Sequence, residues 1–367
     1  MGWFDSSANP IGIDFGTHAV RLVQFRGRGA NLALQAAARI DRGDWPDPPT
    51  PEIIAATVRR GLAAGDFRGR SCVIALGPSA LHSRSVRLPQ MPDNELPQAL
   101  QWEVKDRFGF DAEPGAVAYF KAGEVRRGTE IRDELLVFAG APATINPYLE
   151  AFMQLRFTVS AIDLQPCAML RALERTGPLG ECGAVLDIGA RGTQLLIHHA
   201  GTLSFFKHID IGAAAFDAAV SQKLGVSLVE AAQMRDRLAA TPEEDPHAPA
   251  EPTDGELPAP LAQALVDTLR PKAEELAREI DMCLRYYVVT FRAARPESLL
   301  VVGRQATHGR LLDMLAGALG LAVTAGAPLR GVAALTDATR PDRSAEWAVA
   351  AGLAGYPLRH SRAEAAA

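Results

Sequence analysis

At 367 residues the chain is too long for one compact core and suits two lobes with smaller insertions. Apolar residues make up 48% of it, which excludes wholesale disorder, and 38 basic against 43 acidic residues leave a formal charge of -5 with no basic stripe of the kind nucleic-acid binding needs. No apolar run approaches the length of a membrane span, and the start lacks a signal peptide's basic and apolar regions, so the chain reads as cytoplasmic.

A short leader carries Trp3 and Phe4, expected to dock on the protein itself or on a partner. Residues 11–25 (IGIDFGTHAVRLVQF) then alternate apolar and other residues, break at Asp14-Phe15-Gly16-Thr17 and resume, which reads as two tightly joined antiparallel strands. Gly16 lets backbone approach a bound group, Thr17 offers a hydroxyl, and Asp14 ends a strand where a hydrated cation can sit. Strand candidates follow at 32–40 and 72–76, with a helix between them opened by Thr50-Pro51 and carrying Ile54, Val58 and Leu62 on one face. From residue 79 to about 160 the texture changes. A strand, a Pro-marked turn, a helix starting near Asp93 or Asn94, strands at 116–121 and 134–139, and a helix through Tyr148, Phe152 and Leu155 read as an inserted α+β domain. Asp163 with Pro166 provides an N-cap and an early Pro for the next helix.

The hairpin design returns at residues 184–198 (AVLDIGARGTQLLIH), with Asp187, Gly189 and Thr193 in corresponding places and Arg191 placed either to meet phosphate or to block it. His198 and His199, neighbours on a strand, point to opposite faces. Gly212 precedes one helix, and Ser227 to Glu230 forms a capping box for another. Residues 240–260 are acidic, Pro-rich and without periodicity, so they are expected to form a solvated, disordered loop, and deleting Glu243 to Glu256 is expected to leave fold and partner binding intact. A helix kinked near Pro271 follows, and 299–315 runs from a strand through Gly303 into a helical pattern. Cys72, Cys167, Cys182 and Cys283 show no metal or redox spacing and read as buried free thiols of a reducing compartment.

Two hairpins of one type in opposite halves, followed by a third glycine loop, resemble the actin, heat-shock ATPase and sugar-kinase superfamily. Within it, VRLPQMPDNELPQALQWEVKDRFGF resembles the PilM family of type IV pilus assembly proteins, in which a strand ends in Leu-Pro, a Met-Pro turn follows and a helix carries a Trp-Glu pair. EIDMCLRYYV resembles that family's Glu-Ile-x-Arg-Ser-Leu-x-Tyr-Tyr helix, and WAVAAGLAGYPLR its closing helix. The resemblance spans residues 11–359 apart from the acidic insertion.

It implies an α/β, two-lobed actin-like (ribonuclease H-like) fold with a small inserted α+β domain. Residues 1–78 and 161–181 would form the first lobe, 79–160 the insert, 182–358 the second lobe facing the same cleft, and 359–367 a tail. It also implies ATP and Mg as ligands, with Asp14 and Asp187 holding Mg through water and Gly16, Thr17, Gly189 and Thr193 around phosphate. Arg21, where the family often has Lys, is either a phosphate partner or a surface strand cation. Glu279 and Gly303 fall on the adenosine side. There Arg304 and Gln305 replace small residues, and Met282 and Cys283 stand in place of Arg and Ser. Each change removes a nucleotide contact, so binding is expected to be weak, with at most weak ATPase activity and no catalytic residue nominated.

The implied partner is the N-terminal tail of a PilN-like inner-membrane protein, held near the junction of the insert and the first lobe. The chain would work within a pilus assembly complex, recruited to the inner face of the inner membrane without direct membrane insertion and without nucleic acid; the reading allows a homo-oligomer. Two alternatives stand beside it. A cell-division adaptor of the FtsA type usually ends in an amphipathic membrane helix, which LRHSRAEAAA does not form. A small-molecule kinase needs a base and a substrate pocket, and the sequence nominates neither.

Overall fold

The computed structural model describes residues 9–27, 29–78, 80–127, 130–241, 257–334, 336, 339 and 341–356. The leader with Trp3 and Phe4, most of the acidic stretch (242–256) and the tail lie outside the described residues. Two compact units divide the described residues: those of 9–181, 198–206 and 327–356 form one, and those of 182–197 and 207–326 form the other.

In the first unit, β1 (Ile11–Phe15) and β2 (Ala19–Arg26) pair antiparallel, as the interrupted alternation predicts, with Gly12 opposite Val23 and Asp14 opposite Arg21. β3 (Ala33–Asp41) extends this meander. Thr50 caps α1 (Pro51–Ala63) by accepting a hydrogen bond from the Ile53 N–H at 3.5 Å, and β4 (Ser71–Ala75) then runs parallel to β1. β5 (His82–Pro89), α2 (Leu96–Phe108), β6 (Val117–Arg127) and β7 (Glu130–Ala139) build a separate three-stranded sheet, ordered β5-β7-β6, with α2 covering one face through Leu100 and Val104. The N-cap of α2 is Glu95, not Asp93 or Asn94; a turn in which the Glu95 N–H donates to the Pro92 carbonyl delays the helix.

α3 (Pro142–Gln154), β8 (Thr158–Asp163) and α4 (Gln165–Glu174) return the chain to the first core. β8 pairs parallel with β4 and completes the order β3-β2-β1-β4-β8. Tyr148 and Phe152 of α3 lie edge-on to Phe15, at 4.9 and 6.3 Å between ring centroids. Residues 142–163 therefore pack with the first sheet, whereas the sequence drew the insert out to residue 160. Asp163 does not cap α4; Leu164 stands at the cap, and the Asp163 carboxylate pairs with Arg171 at 2.7 Å.

The second sheet follows the same logic. β9 (Cys182–Ile188), β10 (Thr193–His199) and β11 (Thr202–Ile209) precede α5 (Ala213–Leu224), α6 (Leu228–Ala240) and the long α7 (Ala259–Phe291). β12 (Ser298–Val302), α8 (Gly309–Leu319) and β13 (Ala322–Ala325) complete it in the order β11-β10-β9-β12-β13. The Ser227–Glu230 capping box is formed in both directions. His198 is buried and His199 exposed, as strand alternation requires. α7 passes through Pro271 as one continuous helix.

α9 (Ala348–Ala354) packs beneath β1, in the first unit rather than the second. Its small residues are the reason. A Cβ on Gly352 would lie 1.8 Å from the Ala168 carbonyl oxygen, and one on Gly12 would lie 2.3 Å from that of Ala350, so backbones meet where side chains are missing. The four cysteines form no disulfide; burial pushes the Cys72 thiol up to about 12. Among the described residues no helix is long and apolar enough to cross a membrane.

Candidate functional site

Asp14 is the last residue but one of β1 and is only 5% exposed. Gln165, at the start of α4, donates to its Oδ1 at 3.1 Å, and Arg21, directly across the hairpin, stands 3.8 Å from Oδ2. Burial raises the Asp14 pKa, and Arg21 and Gln165 oppose that rise only in part. Arg21 also pairs with Glu346 at 3.2 Å, so it is a half-buried bridge and not a surface strand cation.

Arg42 holds two carbonyls of the turn between β1 and β2: its N–H donates to the His18 oxygen at 2.9 Å and its guanidinium to the Gly16 oxygen at 3.2 Å. The N–H groups of Gly16, Thr17 and His18 donate to nothing among the described residues, and Thr17 is half-buried. Successive N–H groups of this kind suit an anion.

The second hairpin is more internally bonded. The Gly189 N–H donates to the Gly192 carbonyl at 2.9 Å, and the first turn of α5 donates to this loop, Ala213 to the Gly189 oxygen and Ala214 to that of Ala190. Thr193 is fully buried and donates its hydroxyl to the Ile211 carbonyl at 2.6 Å. Arg191 is exposed and Asp187 half-buried. Gly303, with φ +81 and ψ 179, occupies a region open to glycine alone, and a Cβ there would lie 2.2 Å from Asp187 Oδ1. Glycine is what lets this third loop close onto Asp187.

Arg304 and Gln305, the two large side chains expected on the purine side, are both anchored on α6. Arg304 pairs with Asp236 at 2.5 Å; Gln305 is buried and accepts from Arg235, which also pairs with Asp217. His308 beside them is held neutral, pushed down to about 3 by burial and then by Arg235 and Arg304. On α7, Glu279 and Cys283 are half-buried neighbours and Met282 is exposed.

Asp14, Gly16, Thr17 and Arg21 are thus gathered in the first unit, and Asp187, Gly189, Thr193 and Gly303 in the second. Gln165, Glu346, Arg42 and Arg235 were missed by sequence reasoning. Gln165 lies 151 residues from Asp14 and Glu346 lies 325 from Arg21, and no spacing rule joins such pairs. Among the described residues no three His, Cys, Asp or Glu side chains come together as a metal site.

Two sheets of like design, each with a glycine turn after its first strand, define an actin-like fold. The chain belongs to the family of type IV pilus assembly protein PilM, whose model matches residues 12–358. It is similar to the solved structure of a PilM-PilN type IV pilus biogenesis complex, with a TM-score of 0.73, 22% identity, and coverage of 96% of this chain and 98% of that one. It is also similar to the ethanolamine utilization protein EutJ from Carboxydothermus hydrogenoformans, with a TM-score of 0.53, 13% identity, and coverage of 94% of this chain and 88% of that one. This membership does not favour the cell-division adaptor or the small-molecule kinase.

Proposed function

We propose that this chain is a scaffold of type IV pilus assembly that binds the N-terminal tail of a PilN-like inner-membrane protein and is recruited through it to the inner face of the inner membrane. The observation that carries the reading is the family match over residues 12–358, together with a fold shared end to end with the PilM-PilN complex. The tail docks where the insert, taken as residues 80–140, meets the first sheet. Hydrogen exchange of the full chain with a synthetic PilN-like tail tests this. Protection near β5, β7 and α3 is expected, and protection confined to residues 207–326 overturns it.

The second part of the proposal is a weak ATP and Mg site. The N–H groups of Gly16, Thr17 and His18, which find no acceptor among the described residues, fit a phosphate, and Asp14 fits a cation held through water; Asp187 is the carboxylate to which the family resemblance gives the same role. Thr193 fits less well, because its hydroxyl proton is committed to Ile211. Bound nucleotide with Mg would supply a charged group that biases the scaffold's conformation; the residues here bind and orient it. Titration calorimetry with Mg-ATP checks this: affinity reduced by about one to two decades, relative to a site with two further purine hydrogen bonds, is expected. Tight adenine-selective binding, or robust turnover, contradicts the weak-site reading.

A further inference from the structure

The sheet of the insert outruns its helix. α2 has 13 residues, about 20 Å of helix, whereas the ten residues of β7 extend for about 34 Å. Where the cover stops, a groove of about 150 Å³ opens. Leu88, Leu96, Leu135 and Met91 supply apolar walls, and Asp93, Tyr119 and the Lys121–Asp133 pair stand around them.

Its volume excludes some occupants. Sites for nucleotides and other small molecules run to about 300–1,000 Å³, so 150 Å³ suits one large side chain. Its charge narrows the choice further. The Lys121 ammonium is held by Asp133 at 3.0 Å and Glu124 at 3.1 Å, and Gln90 braces both carboxylates. Asp93 is exposed. Two carboxylates therefore hold the one ammonium, and Asp93 adds a third at the groove, beside a tyrosine that is 40% exposed. An apolar hole with an acidic margin complements a bulky apolar side chain flanked by lysine or arginine.

We propose that this groove is a docking site for an extended peptide segment of that chemistry, one bulky apolar residue between basic ones, on a protein partner. β5 is an edge strand, so a chain laid along it reaches the groove at Leu88 and Pro89. The site is separate from the one proposed for the PilN-like tail: from His82, opposite Ala139, to Pro89 is seven strand residues, or about 23 Å. It is also independent of the nucleotide reading.

The test uses the full chain and a fluorescent synthetic peptide, Gly-Ser-Lys-Lys-Phe-Lys-Lys-Ser-Gly. One twin carries glutamate for lysine, and another carries alanine for phenylalanine. Anisotropy should show saturable binding at least about tenfold tighter than either twin. Asp93→Lys and Met91→Ala, both at positions outside the buried core, should each weaken it by about tenfold, with melting temperatures confirming that they fold. Trp102→Ala, at a 69% exposed position of α2 that does not line the groove, should bind as the parent does. No saturable binding up to about 1 mM, equal affinity for the glutamate twin, or unchanged binding by Asp93→Lys overturns the proposal. Self-association abolished by Asp93→Lys also overturns it, because the groove would then belong to a second copy.

Discussion

In the first hairpin Thr17 stands half-buried on a turn whose N–H groups take no partner among the described residues, whereas in the second Thr193 is wholly buried with its hydroxyl on the Ile211 carbonyl. The aspartates differ the other way round. Asp14 is sunk beside Arg21 and Gln165, while Asp187 is half-buried beneath Gly303. Both motifs have the same residue types, so the residues alone do not decide the role. The decision lies in what surrounding backbone has already claimed. A polar group satisfied inside the fold stabilises the fold; one left unsatisfied at a turn is available to a ligand.

The largest expected effect tests the packing beneath the first hairpin. Gly12→Ala places a methyl against the α9 backbone on two sides, 2.3 Å from the Ala350 oxygen and 2.4 Å from the Ala354 nitrogen. Neither can swing away, so a loss of about 3 kcal/mol or more is expected in urea unfolding. Gly303→Ala meets the tip of the Asp187 side chain and a strained backbone, and should cost about 1–3 kcal/mol. Equal, small losses at both would mean that the close approach of α9 to β1 is not real.

A second contrast lies in acid response. His308 is held neutral in the fold, its pKa lowered from 6.5 to about 3. A lowered histidine withholds its proton while the unfolded chain takes one, so stability falls as pH drops below 6.5 and continues to fall towards 3. At pH 5 the loss should reach about 2 kcal/mol. Hydrogen exchange across residues 207–326 at pH 7.5 and pH 5, corrected for intrinsic rates, measures it in the second unit. His308→Gln should remove most of the dependence; an unchanged acid response in that variant assigns it elsewhere.

Thr193→Val should cost about 1–2 kcal/mol by leaving the buried Ile211 carbonyl without its donor, whereas Thr17→Val should stay within about 0.5 kcal/mol. The nucleotide readout should invert the order, with Mg-ATP affinity falling more for Thr17→Val. A stability cost at Thr17 to match that at Thr193 would erase the distinction between the two turns.

Local chemistry was legible in the sequence wherever it repeats at short range. The broken alternation around Asp14, the Thr50 cap, the Ser227–Glu230 box and the opposed faces of His198 and His199 each follow from a few neighbouring residues. Whole-chain order carried the family. What escaped was set by long-range packing. Nothing near residue 150 says that Tyr148 and Phe152 will lie against Phe15, and nothing near Gly352 says that α9 will cross under Gly12. Likewise Arg304 and Gln305 look like obstacles in a linear string, and only their contacts with Asp236 and Arg235 show where they go.

The smallest expected change is at Asp14, and its sign is the informative part. Burial raises this carboxyl's pKa above 3.8 despite Arg21 and Gln165, so the folded protein holds the proton more tightly than the unfolded chain does. The contribution to stability is then greatest below the unfolded value, falls as pH rises through the folded value, and stays reduced at neutral pH. Asp14→Asn keeps the shape and a partner for Gln165 while removing the buried charge; Arg21 retains Glu346. The variant should therefore melt at or slightly above the parent at pH 7, with the difference vanishing near pH 3. Mg-ATP affinity should fall in the same variant, because the hydrated cation loses its carboxylate. A clear loss of stability at pH 7 would show that the Arg21 pair outweighs burial, and would make Asp14 a structural group like Thr193 instead of a charge kept for a ligand.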